Sequence, residues 1–151
     1  MKNLPIISLL IIGLASCGTD NTPTPQRMTQ NVQSIPGNTV ISVVSQDKYD
    51  APHGAEIIEK KGSYRVIDNI YDTDGYQVLI PRNALISGIY TNDGVNCQIH
   101  WKAIYANEKE YEENRGSFVL DQTTSPSICV PTRGIKKGDR LVIRFNQVNY
   151  N

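Results

Sequence analysis

The stretch VNCQIHWKAIY, residues 95–105, decides the fold class because apolar and polar side chains alternate along it. One face carries Val95, Cys97, Ile99, Trp101 and Ala103, and the residues between them form the other face. A period of two over this length is typical of a strand with one buried face and one solvated face. The stretch therefore predicts a half-buried antiparallel strand.

The same alternation recurs on both sides of this strand, with turn residues in between. RLVIRF, residues 140–145, repeats it most clearly. Further strands are predicted at Val40–Val44, Ala55–Glu59, Tyr64–Ile67, Tyr76–Ile80, Leu85–Tyr90, Ser117–Leu120 and Ile128–Val130. Turns are predicted at Lys61-Gly62, Asp74-Gly75, Asp93-Gly94 and Lys137-Gly138. About eight or nine short, mainly antiparallel strands without a long amphipathic helix predict an all-β fold, a small barrel or sandwich.

The charged segment ANEKEYEENRG, residues 106–116, interrupts this pattern. It is compatible with a turn of helix or with a solvated loop. Acidic and basic side chains are interleaved along it, so we favour a solvated connection between strands.

The first eighteen residues, MKNLPIISLLIIGLASCG, have the form of a secretory signal. Lys2 precedes an apolar run from Leu4 to Leu14, which is too short for an ordinary transmembrane helix. LASC, residues 14–17, resembles the bacterial lipobox, which implies cleavage before Cys17 and a diacylglycerol on its thiol. Gly18, rather than Asp, implies retention on the periplasmic face of the outer membrane. The alternative is an ordinary signal peptide with a chance cysteine.

These features predict three regions: a signal peptide over 1–16, a lipidated Cys17 with a flexible tether to residue 38, and a β-domain over 39–151. The tether is rich in Thr, Asn, Pro and Gln and poor in side chains that pack. Fifteen basic and fifteen acidic residues balance in the whole chain. Without a basic surplus, nucleic acid is not an expected partner.

Cys97 and Cys129 remain as a pair once Cys17 is assigned to the lipid anchor. An even pair in an oxidising periplasm predicts one disulfide, with two buried free thiols as the alternative. A metal site is not expected, because the chain has no CxxC and its two histidines lie far from any ligand spacing.

No catalytic motif stands out in the chain. There is no GxSxG and no glycine-rich phosphate loop that opens a helix. His53 and His100 have no partner at a recognisable spacing, and we interpret both as surface residues. A binding or structural role without a cofactor is therefore favoured over an enzyme.

YDTDGYQVLIPRNALISGIY, residues 71–90, adds a specific spacing to this general fold. Asp72 to Gly75 predicts a turn, and the two apolar runs around Pro81 predict a hairpin. Together with the next strand, the order of landmarks is Tyr71, Asp72, Gly75, Leu79, Ile80, Pro81, Gly88, Tyr90 and Trp101. This order resembles the C-terminal periplasmic domain of TrbI-type conjugation proteins, the channel-barrel component of type IV secretion systems.

The resemblance implies a β-barrel domain in a secretion or conjugation complex, with the landmark residues serving the fold. Its partners would be secretion-complex proteins or like subunits, and the acyl chains of Cys17 would contact outer-membrane lipid. Asn83 stands where the family usually has Gly, a replacement that Asn tolerates because it visits the left-handed region readily. A small periplasmic inhibitor or binding lipoprotein, similar to lysozyme inhibitors, is the alternative function.

Overall fold

The computed structural model describes residues 34–72, 75–146 and 148–149, so the expected signal peptide and Cys17 lie outside the described residues. The described part contains one short helix, α1 (Glu108–Glu112), and ten strands. The strands are β1 (Ser34–Ile35), β2 (Thr39–Ser45), β3 (Ile58–Val66), β4 (Ile70–Tyr71), β5 (Val78–Ile80), β6 (Leu85–Asn92), β7 (Cys97–Tyr105), β8 (Phe118–Thr124), β9 (Arg140–Phe145) and β10 (Val148–Asn149). The predicted all-β class is confirmed.

The main sheet has six strands in the order β8-β7-β6-β3-β2-β9, and every pairing in it is antiparallel. It curls into a half-barrel. Two small sheets, β1-β10 and β4-β5, supplement it. The backbone N–H of Asn146, just after β9, donates to Oε1 of Gln122 on β8 at 2.9 Å. The curl therefore brings the two outermost strands together at this point.

A row of aromatic side chains fills the inner face of the curled sheet. The ring of Tyr49 stacks on Tyr90, with 4.8 Å between ring centroids, and on Tyr64, with 6.1 Å. Trp101 meets Tyr64 and Phe145 edge-on, at 4.8 and 6.4 Å. All five rings are at most 2% exposed. Aromatic burial on this scale dominates the energetics of a core this small.

Strand β3 corrects the prediction of a turn at Lys61-Gly62. The strand runs unbroken from Ile58 to Val66, and Gly62 pairs with Gly88 in its middle. The phenol of Tyr49 lies directly over Gly62, so that a Cβ added there would be 1.2 Å from the Tyr49 hydroxyl oxygen. This glycine gives room for a neighbouring ring rather than reversing the chain, which is the common reason for glycine inside a strand.

Strand β7 begins two residues later than the alternation predicted and changes phase once. Val95 is 79% exposed, in the turn before the strand, whereas Cys97, Ile99 and Trp101 face the core as predicted. The pairing with β6 shifts after Trp101, since Gly88 lies opposite Trp101 and Ser87 opposite Ala103. A bulge of this kind inserts one extra residue. Ala103 is therefore only half-buried, against prediction, and Ile104 faces the core in its place.

The hairpin predicted across Pro81 is wrong in its pairing. β5 pairs with β4, whereas β6 pairs with β3 and β7, so the two apolar runs belong to different sheets. A tight turn carries the chain from one sheet to the other, with the N–H of Ala84 donating to the Pro81 carbonyl at 3.1 Å. Proline cannot donate to a ladder, which suits a position where pairing changes.

Other boundaries also differ from the sequence prediction, and the strands predicted at Ala55–Glu59 and Tyr64–Ile67 are one strand, β3. Ile35 is fully buried and β1 pairs with β10, so the folded part includes residues 34–38 that were assigned to the tether. Residues 128–130 form no strand, because Val130 makes only an isolated bridge to Gly134. The charged connection after β7 contains α1, whose first turn is capped by Asn107: its Oδ1 accepts from the Glu110 N–H at 2.9 Å.

The turn at Lys137-Gly138 is confirmed and is held by Asp139. Its carboxylate accepts from the Arg133 guanidinium at 2.7 and 3.1 Å and from the Lys136 N–H at 2.8 Å. These hydrogen bonds, the Arg133 pair first, hold the pKa of Asp139 below its usual value. This turn also fixes the start of β9, because the Ser45 N–H donates to the Asp139 carbonyl at 2.9 Å.

Asp139→Asn is expected to reduce the sensitivity of the fold to acid. A carboxyl whose pKa is lower in the folded than in the unfolded chain stabilises the fold above its unfolded pKa. That stabilisation is lost as the pH falls through the folded pKa. Urea unfolding at neutral pH and at about pH 3, below the unfolded aspartate value, measures the difference. Asp68→Asn, at an exposed carboxylate, is the matched control; an equal acid response in both variants contradicts the prediction.

Candidate functional site

The landmark residues of 71–90 divide into a buried group and an exposed group. Leu79, Ile80, Pro81, Tyr90 and Trp101 are buried. Gly88 is buried between them, and a Cβ there would lie 2.8 Å from Ile99 and 3.2 Å from Trp101. The predicted structural role of these residues therefore has a packing reason in each case.

The exposed group forms the tip of the β4–β5 hairpin. The Asp72 carboxylate accepts from the Tyr76 N–H at 3.1 Å, and the Gly75 N–H donates to the Asp72 carbonyl at 3.0 Å. Gly75 has a φ of 76°, the left-handed region that favours glycine. Asp74 lies outside the described residues. Tyr71 and Tyr76 are 51% and 89% exposed, so this turn presents two aromatic rings to solvent.

Asn83 ends the turn after Pro81 in the left-handed region, with a φ of 71°. Asn83 thus adopts the left-handed conformation that asparagine visits more readily than most residues. Its N–H donates to the Val66 carbonyl at 2.9 Å, which ties the turn to the end of β3.

The predicted disulfide is confirmed. Cys97, at the start of β7, bonds to Cys129, and their Cα atoms are 5.4 Å apart. The bond ties the segment after β8 to the start of β7. A buried polar cluster lies at this end of the sheet. There, Asn92 is fully buried and its Nδ2 donates to the Tyr90 hydroxyl and to the Pro131 carbonyl, each at 2.9 Å.

The double variant Cys97→Ala/Cys129→Ala is expected to lose roughly 3–4 kcal/mol of stability, because the unfolded chain regains the freedom of the closed loop. The bonded cysteines are 32 residues apart, which sets this magnitude. Chemical unfolding of the variant and of the reduced parent chain measures it, and the two should agree. A loss below about 1 kcal/mol in both would show that the bond does not constrain the unfolded state as this estimate assumes.

An open cleft of about 590 Å³ lies between the β5–β6 turn and the start of α1; we call it the arginine cleft. Its charged side chains are Arg65, Arg82, Lys109 and Glu108. Arg65 is held in place, since its Nε donates to Oε1 of Gln46 and its Nη1 to the Asn83 carbonyl, both at 3.3 Å. The cleft therefore combines a surplus of positive charge with a fixed guanidinium.

A second depression, of about 510 Å³, lies on the outer face of the sheet beside α1; we call it the outer groove. It is lined by the paired Gly62 and Gly88 and by Lys61 and Lys102. One wall is built by Tyr111, whose ring meets Tyr105 edge-on at 5.1 Å. The groove is open and has both polar and apolar lining residues.

His100 forms a hydrogen-bonded chain with two residues of β8. Its Nδ1 lies 2.7 Å from Oγ1 of Thr123, and its Nε2 lies 2.9 Å from Oδ1 of Asp121. The order hydroxyl, imidazole, carboxylate is that of a nucleophile–base–acid set. However, Asp121 is 88% exposed in its side chain and these residues line none of the clefts described above. The three side chains therefore form cross-strand contacts between β7 and β8 on the surface of the sheet.

His53 lies at an exposed position in the loop between β2 and β3, consistent with the surface assignment. Within the described residues, no group of three or more His, Cys, Asp or Glu side chains is placed to hold a metal ion. No helix in the described part of the chain has the length and apolar character needed to span a membrane.

Sequence reasoning found the disulfide and the fold landmarks but missed the arginine cleft. Arg65 and Arg82 come from β3 and from the β5–β6 turn, and Lys109 comes from α1. Nothing in their spacing signals that they meet. The only local signal was the Asn107-x-x-Glu110 cap, which places α1, and with it Lys109, at the edge of the cleft.

Comparison with known proteins leaves the family of this chain open. No protein-family model matches it, and no curated protein is significantly similar to it in sequence. Any function must therefore be argued from its own residues and from the resemblance in 71–105.

Proposed function

We propose that this protein is a lipoprotein of the outer membrane, anchored through Cys17 on the periplasmic face, that acts as a structural component of a type IV secretion or conjugation complex. It carries out no chemistry in this role. It contributes a rigid β-domain whose surfaces contact neighbouring proteins of the complex.

The observation that most supports this proposal is the placement of the landmark residues. Pro81 and Asn83 form the turn where the chain changes sheets, and the left-handed conformation falls at the position where the TrbI-type pattern has glycine. Gly88 lies opposite Trp101, where a larger side chain would collide with the core. The residues that carry the resemblance therefore have structural roles in this fold, as the resemblance implies.

Exposed apolar side chains provide surfaces for assembly. Val142, on the outermost strand β9, is 60% exposed and lies beside Arg140 and Arg144 of the same strand face. Val119, on the other outermost strand β8, is 55% exposed. The last strand of a sheet presents backbone donors and acceptors to a neighbouring chain. Away from the point where Asn146 meets Gln122, both outermost strands are therefore candidate contact sites.

A transfer assay in the native host tests the role. Deleting the gene is expected to reduce plasmid transfer or effector secretion, and the wild-type gene is expected to restore it. Cys17→Ala is expected to restore it poorly, because acyl chains contribute ~0.8 kcal/mol per buried CH₂ to membrane binding. Full transfer in the deletion strain would overturn the proposal. A muramidase-inhibition assay on the purified protein covers the inhibitor alternative, which inhibition would favour.

A further inference from the structure

The arginine cleft contains three cationic side chains and one carboxylate. None of Arg65, Arg82 and Lys109 forms an ion pair with a described residue. Arg115 and Arg133 do form ion pairs, with Glu113 and Asp139, whereas the exposed Arg140 and Arg144 of β9 form none with a described residue. Like charges that share one cleft repel each other, and an anion bound among them would relieve that repulsion.

The cleft is also preorganised for binding. The two hydrogen bonds of Arg65, to Gln46 and to the Asn83 carbonyl, use Nε and Nη1 and leave Nη2 without a described partner. The backbone at Arg82 is fixed as well, because its N–H donates to Oδ1 of Asn69 at 2.6 Å. The side chain of Arg65 therefore has little freedom left to lose when a ligand binds, which favours affinity, whereas at Arg82 only the backbone is fixed.

We propose that the arginine cleft binds a phosphate group. The three cations come from three separate segments, β3, the β5–β6 turn and α1, and line one cleft. A tetrahedral phosphate offers acceptor oxygens in several directions, whereas a carboxylate offers two in one plane. Arginine is the residue best suited to phosphate, since its planar fork donates two parallel hydrogen bonds.

The phosphate could belong to an anionic lipid headgroup or to a small soluble molecule. Both present the same chemistry to the cleft, and the cleft is open enough for either. This inference does not depend on the proposed role in secretion, because it follows from the charges and hydrogen bonds of the cleft alone.

Titration of the whole chain with inorganic phosphate, followed by NMR chemical shifts, tests the proposal. Cys17→Ala is used throughout so that no acyl chain contributes to binding. The expected result is saturable shifts centred on Asn83, Asn107 and Lys109. Arg82→Gln is expected to weaken binding about tenfold, the effect of one charge-assisted hydrogen bond. Glu108→Gln is expected to strengthen it, because it removes the carboxylate of the cleft.

Arg144→Gln is the matched control, since it removes an exposed arginine on the outer face of β9. Arg65→Gln tests the contribution of the fixed guanidinium and is expected to weaken phosphate binding. Its NMR spectrum shows whether the variant is folded. Co-sedimentation with phosphatidylglycerol vesicles, against phosphatidylcholine vesicles, identifies the source. If the protein binds the anionic vesicles and Arg82→Gln weakens this binding, the ligand is a lipid headgroup. If it binds free phosphate but not the vesicles, the ligand is a soluble molecule. No saturable binding to either, or equal losses in Arg82→Gln and Arg144→Gln, overturns the proposal.

Discussion

Gly62→Ala is expected to destabilise the domain by about 3–5 kcal/mol, close to the cost of removing a large aromatic side chain from a core. The added Cβ would lie 1.2 Å from the hydroxyl oxygen of Tyr49 and 2.4 Å from its Cζ. Because both atoms belong to a ring packed between Tyr64 and Tyr90, a small shift cannot relieve the clash. Tyr49 must leave its site, and the stacking on both sides is lost with it. Urea unfolding followed by circular dichroism measures the change.

A double-mutant cycle isolates the cause of this effect. In a Tyr49→Ala background, Gly62→Ala should cost little, because the clashing ring is absent. Gly75→Ala is the matched control: no atom lies within 4 Å of its added Cβ, and only its φ of 76° opposes alanine. That strain costs roughly 1–2 kcal/mol. Equal losses from Gly62→Ala with and without Tyr49 would contradict this account of the core.

Trp101→Ala is expected to cost a similar amount, about 3–5 kcal/mol. Its side chain is fully buried and meets Tyr64 and Phe145 edge-on, so it joins the middle of the sheet to its last strand. The indole Nε1 also donates to Oγ1 of Thr124 at 2.8 Å, which holds the end of β8. Removing the ring leaves a cavity and removes the contacts with Tyr64, Phe145 and Thr124. Thermal and urea unfolding followed by far-ultraviolet circular dichroism measure the loss without relying on tryptophan fluorescence.

Thr124→Val separates the hydrogen bond from the packing. It leaves the Trp101 ring in place but removes its acceptor, and we expect a loss of about 1 kcal/mol. If Thr124→Val and Trp101→Ala proved equally costly, the hydrogen bond rather than the aromatic row would be the main contribution of Trp101.

Two Lys-Gly pairs show what the sequence could and could not predict about the fold. Lys61-Gly62 and Lys137-Gly138 carry the same local turn signal, yet only the second is a turn. Gly138 has a φ of 90°, whereas Gly62 lies in mid-strand beneath Tyr49. Tyr49 precedes Gly62 by thirteen residues and reaches it only through the fold. Local propensity cannot anticipate this kind of tertiary contact.

The functional surfaces were less predictable than the fold. The Cys97–Cys129 bond was predictable once Cys17 was assigned to the lipid anchor, because the two remaining cysteines can pair in only one way. The phase of β7 was predictable only as far as Trp101, since the bulge beyond it depends on pairing with β6. The arginine cleft was not predictable, because its cations meet only after β3, the β5–β6 turn and α1 have packed.

Affinity purification from detergent-solubilised outer membrane tests most directly the proposal that this chain works as a lipid-anchored part of a secretion assembly. The tagged chain is recovered from its native host, and the proteins that accompany it are identified by mass spectrometry. Cys17→Ala, which removes the proposed acylation site, serves as the matched control. The account predicts channel or scaffold proteins of a type IV secretion system with the lipidated chain and their depletion with Cys17→Ala. Recovery of the lipidated chain as a lone monomer, with no secretion component, would contradict it.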